Sequence, residues 1–314
     1  MSQTDIELTL FEKIVLDTTL LGDFNVISST FFELDSSVAS CLNEPLVRKG
    51  LALLQKRHPL LRAGTHVDEI DKRKAHLKIL NKSESELNDK IEFEWLNLDD
   101  SRDITECMEI FNSELFNIND DSLLWRSQLI GYNDENENNS KKYVLNLSIV
   151  LHICDGICIS TLSLELINIL NSLLTGFECD ELKIVLKPAP NLHQVVSDKG
   201  LFNKTQQETV ELLNKREDGV EFVLHEKFKS YCENGLKINL IKLDKNLTTN
   251  LLNKCKTNNV RITGCINTAI FYALNKLYLM NNLEVPTEFS CELPANMRLR
   301  YQPNNQFHDL RFLV

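Results

Sequence analysis

The sequence predicts a mixed α/β protein, and three segments carry that expectation. Residues 143–151 consist largely of Val, Leu and Ile, with Asn146 and Ser148 interposed, as in a buried or half-buried strand. Asp155-Gly156 follows as a tight turn, and Leu162, Leu166, Ile169, Leu170 and Leu173 then recur at helical spacing until Gly176 ends the stripe. Upstream, Asn43 caps a helix with Pro45 in its first turn, Leu46, Gly50, Leu53 and Leu54 on one face, and Pro59 as its stop.

The remaining elements fit around these. Leu8, Phe11, Ile14 and Val15 form an N-terminal helical stripe, suited to docking on the first lobe or to peripheral contact with a membrane. A strand over residues 123–131 precedes the one at 143–151, and the polar stretch 133–140 joins them as a solvated loop. Residues 187–191, Lys-Pro-Ala-Pro-Asn, must be extended because proline disfavours helix at the residue before it. Weak periodicity continues to about residue 234, which reads as a crossover. Leu236, Ile238 and Leu240 then alternate as a strand. Asp244 caps a helix bearing Leu247, Leu251, Leu252 and Cys255. Thr263 caps another, with Ile266, Ala269, Ile270, Ala273, Leu274 and Leu277 inward, and residues 288–293 form a last strand. The organisation expected is a lobe at 1–185, a crossover at 186–234 and a further lobe at 235–314.

Composition narrows the function classes. The chain has 314 residues, 43% of them hydrophobic, enough to bury a large core or two smaller ones. A net charge of −11 disfavours nucleic acid and anionic membrane, which reward clustered Lys and Arg. No uninterrupted apolar run approaches the roughly 20 residues of a membrane span, and Met1-Ser2-Gln3-Thr4-Asp5 lacks the basic and apolar start of a signal peptide. A cytoplasmic protein is expected. The nine scattered cysteines read as free thiols, and Cys154-x-x-x-Cys158 lacks the partners of a metal site, so no metal is expected.

Residues 51–63, Leu-Ala-Leu-Leu-Gln-Lys-Arg-His-Pro-Leu-Leu-Arg-Ala, carry Arg57-His58-Pro59 and Leu61-Arg62 at a recognisable spacing. This segment resembles the opening signature of the chloramphenicol acetyltransferase-like acyltransferases, the superfamily of alcohol acetyltransferases and peptide-synthetase condensation domains. Leu124-Trp125-Arg126 resembles that family's strand before the active-site hairpin, residues 260–267 the start of its long second-lobe helix, and Asn296-Met297-Arg298 a strand ending in Asn-x-Arg. The resemblance implies a mixed sheet with flanking helices, with two lobes meeting at a tunnel that donor and acceptor enter from opposite ends. It also implies a longer chain, so the first lobe would be complete and the second partial. The function implied is transfer of an acyl group from a thioester to an alcohol or amine, with acyl-CoA as co-substrate rather than a bound cofactor. The alternative is a non-catalytic relative acting in binding or assembly.

The family's central motif is His-His-x-x-x-Asp-Gly, whose histidine takes a proton from the attacking alcohol or amine. Imidazole suits that work because its ordinary pKa of about 6.5 lies near neutral. This chain reads Val150-Leu151-His152-Ile153-Cys154-Asp155-Gly156. Counting back from Asp155-Gly156 puts Leu151 in the catalytic position and His152 one residue late. Either a deletion leaves His152 as the base, or the histidine is lost. On a continuing strand His152 would share a face with Asn146 and Ser148, candidates for tunnel lining; a loop beginning at 152 would free its direction. Asp155 is expected to cap the following helix and to pair with Arg298, with Arg300 or Arg62 as alternates. Gly156 is expected to hold a backbone conformation closed to other residues. His58 is expected to be structural, placed at a helix C-terminus where the dipole favours it. His66, His76, His193, His225 and His308 suggest no shared site.

Overall fold

The structure is a computed structural model and describes residues 5–20, 25–68, 74–98, 104–119, 121–132, 140–177, 184–187, 238, 240–241 and 243–286. The described residues up to 187 belong to one compact unit and those from 243 to 286 to another.

The first unit is a mixed α/β structure built on two sheets. In chain order it contains β1 (Asp5–Glu7), α1 (Leu10–Leu20), β2 (Asn25–Asp35), α2 (Ser36–Ala39), α3 (Glu44–Arg57), β3 (Ala63–His66), β4 (His76–Ile79) and α4 (Glu84–Asp89). It continues with β5 (Glu92–Leu98), α5 (Ile104–Ser113), β6 (Trp125–Tyr132), β7 (Ser140–Val150) and α6 (Gly156–Thr175). The larger sheet has the order β2-β7-β6-β5, antiparallel except for the parallel β5–β6 pair. The smaller sheet is antiparallel with the order β1-β4-β3. The strand pair and the three helices expected at α3, α6 and α7 (Lys245–Thr257) are all present, with ends shifted by one to three residues.

Local chemistry sets the helix ends. Asn43 accepts a hydrogen bond from the Leu46 N–H at the start of α3, and Asp244 does the same for Leu247 at the start of α7. Gly176 closes α6 with φ +71°, a left-handed conformation that glycine adopts without strain. Thr9 and Glu12 bond reciprocally across the first turn of α1, and Leu8, Val15 and Leu16 are buried.

One face of the larger sheet packs on α6, where Ser163 donates to Ser28 of β2, and α3 packs on α6. The buried stripe of α3 is Val47, Gly50, Leu51 and Leu54; Leu46 and Leu53, expected on that face, are only partly buried. Gly50 explains the offset. A Cβ there would stand 2.8 Å from Leu170 Cδ2, so the two helices touch at the glycine and the contact is centred on it. Among the described residues, α6 is the one helix long and apolar enough to cross a bilayer, with a mean hydropathy of 1.6. Its buried Leu162, Leu166, Ile169 and Leu170 form part of the core.

The second unit contains α7 and α8 (Ile262–Met280). Two expectations are corrected there. α8 begins at Ile262 with Arg261 at its cap position, so Thr263 lies inside the first turn and caps nothing. The face expected inward is exposed at Ile266, Ile270 and Leu277, because the packing of α7 on α8 buries only a narrow stripe that includes Cys255 and Tyr278. Ile238 and Leu240 lie outside regular secondary structure. Arg298, Arg300, residues 288–293 and the crossover at 188–234 lie outside the described residues.

Candidate functional site

β7 stops at Val150, its last residue paired with β2, and Leu151–Ile153 turns as a single 3-10 turn before Asp155 opens α6. The alternation of a strand therefore does not govern His152. Its ring points into the core, with no exposed surface, and Nε2 lies 2.9 Å from Thr65 Oγ1 on β3. Nδ1 has no hydrogen-bond partner. Helix α1 packs against the same turn. Burial pushes the His152 pKa down to about 3, because the apolar surroundings disfavour the imidazolium. Leu151, the residue before His152, is partly exposed.

Asp155 occupies the cap position of α6. Its Oδ1 accepts from the N–H groups of Ile157 and Cys158 at 3.1 and 2.8 Å. Arg62, an alternate partner, has its pKa lowered by burial and supported by the charge of Glu84; Asp155 is not among the charges acting on it. Gly156 departs from expectation. Its φ is not positive and a Cβ would meet nothing within 4 Å, so neither strain nor crowding requires a glycine at the start of α6.

Asn146 and Ser148 are fully buried on the face of the larger sheet opposite α6. They share it with Gln128 and Arg126, their direct neighbours on β6. Asn146 donates to Gln128 Oε1 at 2.8 Å, and Gln128 donates to Glu94 at 2.6 Å. Arg126 donates to the carbonyls of Phe111 and Glu114 at the end of α5 and lies over the rings of Phe111 and Phe116. Asn146 Oδ1, Ser148 Oγ and Arg126 Nε find no partner. His152 reaches across to the other sheet instead, so the predicted residues fall into two places.

Sequence reasoning missed two residues that organise this region. Thr65 holds His152 from 87 positions away, a separation no local pattern reports. Glu165 on α6 receives both His58 Nε2, at 2.6 Å, and Arg57 Nε. Burial pushes the Glu165 carboxyl up, but the hydrogen bonds and charges of His58 and Arg57 outweigh it and hold it below the usual range. Arg57 also donates to the Ile184 carbonyl at 2.7 Å. The Arg-His-Pro segment is thus a strut that pins the end of α3 to α6.

The chain is a mixed α/β protein with flanking helices, and the solved structures similar to it include condensation-domain folds. The starter condensation domain of the rhizomide synthetase RzmA is 14% identical with a TM-score of 0.45, covering 70% of this chain and 49% of that one. The X-domain from teicoplanin biosynthesis, in complex with OxyB, is 14% identical with a TM-score of 0.42, over 60% of this chain and 36% of that one. The epimerization domain from the third module of tyrocidine synthetase B is 13% identical with a TM-score of 0.38, over 60% and 38%. This chain spans about half the length of the first of these or less. No protein-family model and no curated protein matches the sequence.

Proposed function

We propose that this chain is an acyl-thioester-binding relative of the acyltransferases that works by binding or assembly, without a histidine base of its own. The observation that supports this is the state of His152, withdrawn from solvent, held by Thr65 and lowered to a pKa of about 3. A general base works best with a pKa near the operating pH. A proton moved from an alcohol to this imidazole would go to a group with much less affinity for it than ordinary histidine. In the same reading residues 1–185 form the lobe that carries the His152 turn, 186–234 the crossover and 235–314 part of the second lobe. Asn146 and Ser148 offer ligand contacts through their unpartnered oxygens, Arg298 is the partner of Asp155, and the cytoplasm supplies the acyl-CoA.

A second reading rests on one specific atom. His152 Nδ1 has no partner, so a substrate hydroxyl or amine that reached it would meet an uncommitted nitrogen, and the chain would then transfer an acyl group with His152 as base.

One experiment separates the two. Acetyl-CoA and octanoyl-CoA are titrated calorimetrically into wild type and His152→Ala, and thiol release is followed with a panel of alcohols and amines. The proposal expects binding of at least one thioester and background thiol release in both proteins. Release by wild type that His152→Ala abolishes would establish the second reading, and failure to bind either thioester would overturn the first.

A further inference from the structure

The smaller sheet sets two imidazoles side by side. His66 on β3 and His76 on β4 are direct partners in the antiparallel ladder, and Glu7 on β1 is the partner of His76 on the other side. Directly opposed residues share a face, so Glu7, His76 and His66 form one row across three strands. The next row, Ile6, Leu77 and Thr65, faces the core, with Leu77 and Thr65 buried. Alternation sends the histidine row outward, where both rings are half-buried.

The spacing of the rings is that of shared ligands. Their centroids stand 4.8 Å apart with planes tilted by 43°. Two imidazoles on one ion, with metal–nitrogen bonds of about 2.0–2.1 Å and an angle of roughly 90–110° between them, place their centroids about 4.5–5.2 Å apart. The tautomer of His76 also fits. Its Nδ1 lies 3.3 Å from the Lys74 carbonyl, which can only accept, so Nδ1 carries the proton and Nε2 keeps its lone pair. A carbonyl behind one ring nitrogen is how proteins orient a ligating histidine.

We propose that His66 and His76 form a two-nitrogen site for a divalent transition-metal ion, with the Glu7 carboxylate next in the row and water completing the coordination. Among the described residues no three His, Cys, Asp or Glu side chains converge, so two imidazoles are the protein's direct contribution. Such a donor set ranks Cu²⁺ above Ni²⁺ and Zn²⁺. The site is separate from the acyl-thioester reading and stands or falls without it.

The test is calorimetric titration of the full chain with Cu²⁺ against a glycine competitor, together with the electron paramagnetic resonance spectrum of the complex. One tight site with coupling to two imidazole nitrogens is expected, and His66→Gln or His76→Gln should each weaken it at least about tenfold. Both substitutions lie on the outer face, and an unchanged melting temperature without metal separates loss of a ligand from loss of fold. Equal Cu²⁺ affinity and an unaltered spectrum in either variant would overturn the proposal.

Discussion

His58 and His152 are equally withdrawn from solvent, at 1% and 0% exposure, and they are held in opposite ways. His58 shares a carboxylate with Arg57 at the end of α3, where the helix dipole also favours positive charge. His152 has one neutral hydroxyl partner and an idle Nδ1. Burial beside a counter-charge preserves an ionic network, whereas burial without one removes the charge. The segment that most suggests chemistry therefore holds a histidine whose pKa is pushed far down, and the Arg57-His58-Pro59 segment is a strut.

The largest effect should come from breaking the strut. Glu165→Ala leaves the partly buried Arg57 and the buried His58 without their carboxylate, and removing one partner of such a network costs about 3–5 kcal/mol. Urea unfolding should show this as a lower midpoint with an unchanged slope.

The pH dependence of stability distinguishes the two regions. Folded His152 takes a proton only near pH 3, while in the unfolded chain it does so near its ordinary 6.5. Between those values the unfolded state binds more protons, so stability rises with pH and acid removes it from about 6.5 downward. Each unit of the depression is worth about 1.4 kcal/mol. Glu165, held below its ordinary 4.5, contributes stability above that value and loses it as pH falls further. His152→Leu should flatten the curve between pH 4.5 and 6.5, and Glu165→Gln should remove the loss of stability that the carboxylate contributes below about 4.5. Urea melts across pH 3.5–7.5 check both; a wild-type curve already flat above pH 4.5 would mean that His152 is accessible to protons.

Most of the framework was legible because it is local. Asn43, Asp155, Gly176 and Asp244 act within a turn of themselves, and the strand pair announces itself through composition. What escaped depends on separation. The face of α3 is centred on Gly50 by Leu170, Thr65 meets His152, and Glu165 meets Arg57 and His58 more than a hundred positions away. His66 and His76 are ten residues apart, but only the β3–β4 register makes them partners. The special backbone expected at Gly156 is not there, because a helical first residue in open space needs no glycine.

A smaller effect tests the neutral partnership. Thr65→Val keeps the shape and removes the hydroxyl, leaving His152 with neither nitrogen bonded, at a cost of about 1–3 kcal/mol. Replacing both partners by apolar groups of similar shape removes that penalty, so Thr65→Val with His152→Leu should recover most of the loss. Strict additivity of the two single variants would mean that the 2.9 Å contact contributes nothing.

The smallest effect concerns Asp155, and the choice of substitution carries the information. Asp155→Ala removes the cap that takes the Ile157 and Cys158 N–H groups, worth about 1 kcal/mol. Asp155→Asn retains an oxygen where Oδ1 stands and gives up only the charge. If capping is the whole role, Asn should cost a few tenths of a kcal/mol and Ala several times more. If Asp155 also answers a buried cation such as Arg298, Asn should cost as much as Ala or more, since the cation would lose its counter-charge. Comparison of the two unfolding midpoints with that of Arg298→Met decides between a turn held by hydrogen bonds, as at His152, and one held by charge, as between Arg57 and Glu165.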